Sequence, residues 1–215
     1  MCRQQGAAAD VFTADLADES ASEALVPAVL ARMGWLDAVV NNASLFEHDE
    51  AASFSYAAME RHWRVNTAPA IVLARALHGH LAGGPRRGVV VNLLDQKLWN
   101  PNPDHLSYTL SKAALHSATT LLAMALAPSV RVCAVAPGVT LLSGEMSGDE
   151  FAASHRMTPL GVSSTPQDVA RTVRFLLESP AITGSTVLVD GGQHLQAQPR
   201  DVMFLARELA GPPKD

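Results

Sequence analysis

Short, Val-rich apolar runs alternate with longer stretches of helical spacing along this chain, and that alternation leaves few folds open. The runs are Ala9–Leu16, Leu36–Ala43, Gly88–Leu94, Val130–Pro137 and Thr186–Asp190. They are nearly continuous in apolar residues rather than alternating, the pattern of strands covered on both faces. Between them, Ser20–Met33, Tyr56–Leu81, Ser107–Leu126 and Pro166–Glu178 carry helical periodicity. Strand–helix alternation predicts an α/β fold in which helices flank a parallel sheet. Thr165, Pro166 and Asp168 supply an N-cap, a first-turn proline and an acid for the last of these helices. Val139–Gly161 shows no clear period and reads as a long loop with one short helix. No repeat or linker divides residues 1–215, so one domain is expected, with 196–215 as a C-terminal tail.

Composition narrows the function classes. With 48% hydrophobic residues the chain has material for a core, and 17% charged residues is low for a disordered one. A net charge of −5 offers no footprint for nucleic acid or an anionic membrane, and Arg86-Arg87 is only a pair in a turn. Cys2 and Cys133 form neither a metal-ligand spacing nor a disulfide framework, and no metal site is expected. Cys133 lies in an apolar run and reads as a small buried hydrophobe. No signal-like or membrane-length segment occurs, so a cytoplasmic setting is expected.

The chemistry gathers at one edge of the expected sheet. Tyr108 and Lys112, in Ser-Tyr-Thr-Leu-Ser-Lys, lie one helical turn apart on one face. An ammonium there would lower the phenol's pKa and suit Tyr108 to proton transfer. Ligands of open parallel sheets sit beyond the carboxyl ends of the strands. Asn41-Asn42-Ala43-Ser44, Asp95 and Pro137-Gly138 all fall there. Singly, Asn-Asn and Pro-Gly are ordinary turn chemistry; their convergence is what points to a site. Pro69 lies three residues after Asn66 within one helical pattern. Lacking an N–H, it should kink the helix and leave the Val65 carbonyl as an acceptor for water.

Together these residues resemble the short-chain dehydrogenases/reductases. Asn41-Asn42-Ala43-Ser44 resembles the family's Asn-Asn-Ala-Gly motif, Tyr108 and Lys112 its catalytic pair, and Val189-Asp190-Gly191-Gly192 its C-terminal signature. The resemblance runs from about Ala9 to Leu195. It implies a Rossmann-type doubly wound parallel sheet and a nicotinamide cofactor. Asp15 and Leu16 would meet the adenine, and Asn42, Ala43 and Ser44 the cofactor's path. Pro137, Gly138 and Val139 would meet the carboxamide, and Lys112 the nicotinamide ribose. Asn66 would hold the water of a proton relay. The resemblance also implies a homo-oligomer, a dimer or tetramer. Val202, Phe204 and Leu205 in the tail form an apolar set that must dock or be exposed.

Two departures matter. Where the family places a serine, 13 residues before the tyrosine, this chain has Asp95. An aspartate disfavours an oxyanion but suits a ring nitrogen that must be protonated, and burial would raise its pKa so that it can donate. The alternative is a turn-capping role after the strand. This variant is similar to the pteridine reductases and dihydromonapterin (dihydrofolate) reductases, in which an aromatic at the place of Phe46 stacks on the pterin. The implied activity is NADPH-dependent reduction of a pterin or dihydrofolate-like substrate, NADP being preferred through the subgroup alone. A generic carbonyl or 3-oxoacyl reductase is the alternative, and a non-catalytic binding remnant a second. The other departure is that the family's opening strand, Gly-rich turn and second strand have no counterpart here, and Met1–Gly6 reads as the tail of a helix. The expected sheet is therefore N-terminally truncated, with Ala9–Leu16 lacking a neighbour and Leu36–Ala43 an open edge. On this reading the chain as written would bind NADPH weakly and have little activity.

Overall fold

The computed structural model describes residues 2–142 and 146–210. Its parallel sheet has the order β1-β2-β3-β4, from Ala38–Asn41, Gly88–Leu93, Val130–Pro137 and Thr186–Val189. The helices are α1 (Glu19–Met33), α2 (Tyr56–Asn66), α3 (Ala68–Leu81), α4 (Leu106–Ala125), α5 (Gly148–Arg156), α6 (Pro166–Glu178) and α7 (Val202–Ala210). This is the expected Rossmann-type α/β arrangement.

Alternation within the apolar runs builds two layers of core. Val90 and Val132 face α3 and α4, packing with Leu77, Leu81 and Ala123. Val89, Val91, Cys133 and Val135 face the other way, onto Leu176 and Val173 of α6. Cys133 is buried and free, as expected. The two-sided burial explains why the strands read as continuous apolar runs. At their carboxyl ends the interior becomes polar, and side-chain hydrogen bonds run across it from β1 through β2 to α4. Asn41 Nδ2 donates to Asn92 Oδ1 at 2.8 Å, Asn92 Nδ2 to Thr119 Oγ1 at 2.9 Å, and that hydroxyl to the Leu115 carbonyl.

Four expectations need correction or detail. Ala9–Leu16 is not a strand: it runs as irregular chain with Val11 90% exposed, held by Asp10 between Arg3 and Arg32. No strand lies beside it among the described residues, so water satisfies its amides and carbonyls better than an unpaired ladder would. The stretch Tyr56–Leu81 is two helices, not one kinked helix. The break falls at Thr67, whose hydroxyl donates to the Ser111 carbonyl, and Pro69 sits in the first turn of α3, where no amide is needed. The region read as a loop with one short helix holds that helix as α5, opened by a capping box between Ser147 and Glu150. The tail forms α7 and docks on its own chain, burying Val202 and Ala206.

The Asn41–Asn92–Thr119 ladder generates a stability prediction. Asn92→Ala takes a hydrogen-bond partner from the half-buried Asn41 and from the buried Thr119 and is expected to cost about 2 kcal/mol. Urea denaturation checks it, and a loss below about 0.5 kcal/mol would show that the ladder carries little of the fold's stability.

Candidate active site

The site forms where β2 and β3 end, and local structure fixes each of its side chains. Asp95 follows β2 as the N-cap of the short turn Gln96–Leu98, accepting from the Lys97 amide at 2.8 Å. Its other oxygen accepts from Tyr108 Oη at 2.7 Å. Asp95 is thus both a turn cap and a partner of the tyrosine.

Tyr108 stands in the first turn of α4, whose start is anchored from outside. The buried Asp49 accepts from the Ser107 amide and hydroxyl, closing the helix N-terminus. His105 precedes the helix in the left-handed region, φ 55°. That conformation is costly for a residue with a Cβ. It is held by a 3.2 Å contact between Nδ1 and the Glu47 carbonyl and by Phe46, stacked on the imidazole at 4.1 Å. Phe46 also meets Tyr108 edge-on at 4.7 Å. The loop after β1 and the start of α4 therefore position each other, and burial lowers the His105 pKa.

Electrostatics here depart from the sequence expectation. Tyr108 lies well above the ordinary phenol range, chiefly through burial and then through the Asp95 charge. The expected lowering by Lys112 does not occur: the ammonium lies 5.8 Å from the ring centre and donates to the Leu93 carbonyl at 2.8 Å. Burial in turn brings Lys112 down to about 8, with the Asp95 charge opposing. Asp95 is raised, again by burial, so this carboxyl retains a proton more readily than an exposed one. Of the two acids, the carboxyl is the one placed to exchange its proton.

Asn66 has no side-chain capacity left for water. Its amide nitrogen donates to the Leu45 carbonyl and Ser111 Oγ, both at 2.9 Å; its oxygen accepts from the Leu45 amide and, at 3.4 Å, from Ser44 Oγ. The side chain pins the Ser44–Leu45 loop to α4.

A cavity of about 220 Å³ opens between these elements, and Phe46, Asp95, Tyr108, Gly138 and Val139 all line it. Gly138 is required for close packing: a Cβ there would lie 2.7 Å from Ser163 Oγ and 2.9 Å from the Asp190 Cβ. Asp190 itself caps the following turn through the Gly192 and His194 amides. Pro137 ends β3 against Val189 of β4, so the Pro-Gly and Asp-Gly-Gly motifs meet. Asn42, Ala43 and Ser44 are exposed just beyond β1. Asp15 and Leu16 do not reach the cavity. Asp15 accepts from the Ala17 amide, and Leu16 lines a separate cleft with Trp63 and Pro69.

Sequence reasoning missed the far wall. Lys97 is buried and donates to the Asp104 carbonyl at 2.6 Å and to Asp201 at 3.1 Å. Asp104 binds Arg200 at 2.9 Å. Burial would raise the Asp104 carboxyl, but Arg200 and the Asp201 amide hold it below the ordinary value. These residues belong to no motif; only the fold brings 97, 104 and 201 together.

The sequence model of the enoyl-(acyl carrier protein) reductase family matches residues 1–194. The 3beta-hydroxysteroid dehydrogenase 1 of Eggerthella lenta is 32% identical over 203 residues, covering 89% of this chain and 76% of the relative. The galactitol 2-dehydrogenase of Agrobacterium fabrum is 29% identical over 203 residues, covering 87% and 79%. Among solved structures, FolM alternative dihydrofolate reductase 1 from Brucella suis, in complex with NADP, superposes with a TM-score of 0.86 at 39% identity, covering 91% of this chain and 78% of that one. Its counterpart from Brucella canis, also with NADP, gives 0.83 at 39% identity over 90% and 76%.

The two-acid arrangement predicts a spectroscopic result. Asp95→Ser removes the neighbouring charge and should bring the ionisation of Tyr108 down to lower pH, leaving that of the exposed Tyr56 in place. Tyrosinate absorbance against pH reads it. An unchanged titration would mean that the carboxyl does not act on the phenol.

Proposed function

The chain belongs to the short-chain dehydrogenase/reductase family of oxidoreductases, and on that footing we propose that it reduces a pterin or dihydrofolate-like ring with NADPH. The observation that carries the proposal is the hydrogen bond from Tyr108 to a buried Asp95 in a cavity walled by Phe46. The 39% identity to two alternative dihydrofolate reductases bound to NADP supports it.

NADPH, when bound, supplies the hydride. The described residues fit its nicotinamide end. Tyr108, Gly138 and Val139 line one cavity, and Lys112 is buried one helical turn from Tyr108. Lys112 would hold the ribose, and Pro137, Gly138 and Val139 the carboxamide. Asn42, Ala43 and Ser44 would follow the cofactor's path, and Asp15 and Leu16 would meet the adenine.

The chain's own residues manage protons and orientation. Reduction of a C=N bond needs a proton on nitrogen as the neighbouring carbon is reduced. Asp95, with its raised pKa, lines the cavity and holds that proton on its carboxyl group. Tyr108 stays a neutral phenol, donates to the carboxylate once it has given up its proton, and so favours the transfer. Lys112 keeps its ammonium up to about pH 8, fixing the polar end of the site. Phe46, steadied on its inner face by His105, offers aromatic surface to a flat heterocycle. Asn66 positions the loop that carries Phe46, and main-chain carbonyls near the α2–α3 break would hold any relay water.

A ketone has no basic nitrogen for Asp95 to serve. Asp95→Ser should therefore lower kcat/KM for a dihydropterin by about a hundredfold or more while changing reduction of a small ketone far less. Steady-state kinetics on both substrates decides it. Equal losses would make Asp95 a turn cap only. Efficient ketone reduction by the unmodified enzyme would favour a carbonyl reductase, in line with the dehydrogenase relatives.

A further inference from the structure

Part of the cavity lining comes from the C-terminal segment, and its chemistry is specific. Gln193, Asp201, Val202 and Met203 line the cavity that Asp95 and Tyr108 also line. Asp201 is clamped there. Oδ2 accepts from buried Lys97 at 3.1 Å, Oδ1 from the Met203 amide at 3.1 Å, and its own amide donates to Asp104 at 2.7 Å. Arg200 holds Asp104, Arg207 of α7 binds Glu150 of α5 at 3.0 Å, and Phe204 lies parallel to His105 at 6.3 Å. A segment tied at this many points presents its carboxylate in one place.

A carboxylate oxygen has two acceptor positions, so Asp201 with one donor on each oxygen retains capacity. Two glutamines line the same cavity. Gln96 and Gln193, 7% and 2% exposed, each carry a buried amide oxygen that no group among the described residues satisfies. A cavity lined by the carboxyl groups of Asp95 and Asp201 favours a ligand rich in N–H donors.

We propose that Asp201 is a specificity-determining residue that accepts hydrogen bonds from an amidine-type N–C–NH2 edge of the substrate, while Asp95 serves the ring nitrogen being reduced. The assignment rests on the reading of the chain as a reductase of pterin-like rings, and it adds which edge of the ring is recognised and by what. A 2-amino-4-oxopyrimidine ring has such an edge, and its deamino analogue lacks the exocyclic donor. A site built to accept a donor discriminates strongly against a ligand without it. Apolar or purely carbonyl substrates leave the Asp201 wall unpaired.

The test is binding, followed by the intrinsic fluorescence of two probes, 2-amino-4-oxopteridine and 4-oxopteridine. The unmodified protein should bind the amino compound about tenfold or more tightly than the deamino one. Asp201→Asn should remove most of that preference, weakening the amino compound about tenfold and the other less than about twofold. Asp201→Ser, which keeps a cap for α7, should do the same. No preference in the unmodified protein, no binding of either probe, or a parallel loss of both in the variants would overturn the assignment, the last marking Asp201 as structural. Turnover of a dihydropterin is measured separately. Its absence beside an intact, Asp201-dependent preference would sink the reductase reading and leave the recognition assignment standing.

Discussion

A single hydrogen bond between two acids, Tyr108 and Asp95, can persist only where water is kept away and each partner is held from behind. Burial raises the pKa of both, so each gives up its proton less readily than it would in water. The sheet holds Asp95 by ending β2 in a turn that this same carboxylate caps. Helix α4 holds Tyr108 by borrowing Asp49 as an anchor at its first turn. Lys112, on the next turn, binds the last carbonyl of β2 and ties helix and strand into one unit.

Around that pair the chain builds walls of different character from distant segments. The loop after β1 supplies an aromatic face, kept in place by Asn66 from α2 and by His105. The C-terminal segment supplies a charged face, kept in place by Lys97 and Asp104. An aromatic ring, the Asp201 carboxylate and the Asp95 carboxyl lining one cavity describe a flat, nitrogen-rich ligand better than an aliphatic ketone.

Much of this was legible in the sequence because it is encoded locally. Four of the five apolar runs, the Tyr108–Lys112 spacing, the Thr165 cap and the place of Asp95 after a strand are short-range signals, and these lie where they were expected. What sequence reasoning missed depends on neighbours. Ala9–Leu16 has strand composition, but a strand needs a partner and none stands beside it among the described residues. The phenol pKa moves opposite to expectation because burial and Asp95 outweigh an ammonium that Leu93 draws away. Gly138 was read as meeting the cofactor's carboxamide; it is also needed for packing against Asp190. Lys97, Asp104 and Asp201 form no pattern in one dimension, so the far wall appears only once the chain is folded.

The account turns on where the proton resides, and infrared difference spectroscopy reads that directly. The carbonyl band of a protonated carboxylic acid, assigned to Asp95 by its loss in Asp95→Ser, can be followed against pH. A carboxyl raised in the folded state holds its proton above the pH at which ordinary carboxyls, near 3.8, have lost theirs, and releases it as pH rises through the raised value. The account predicts that this band persists after those of exposed carboxyls have gone. A band that disappears together with them would mean that Asp95 is an ordinary carboxylate, and that the proton must come from elsewhere.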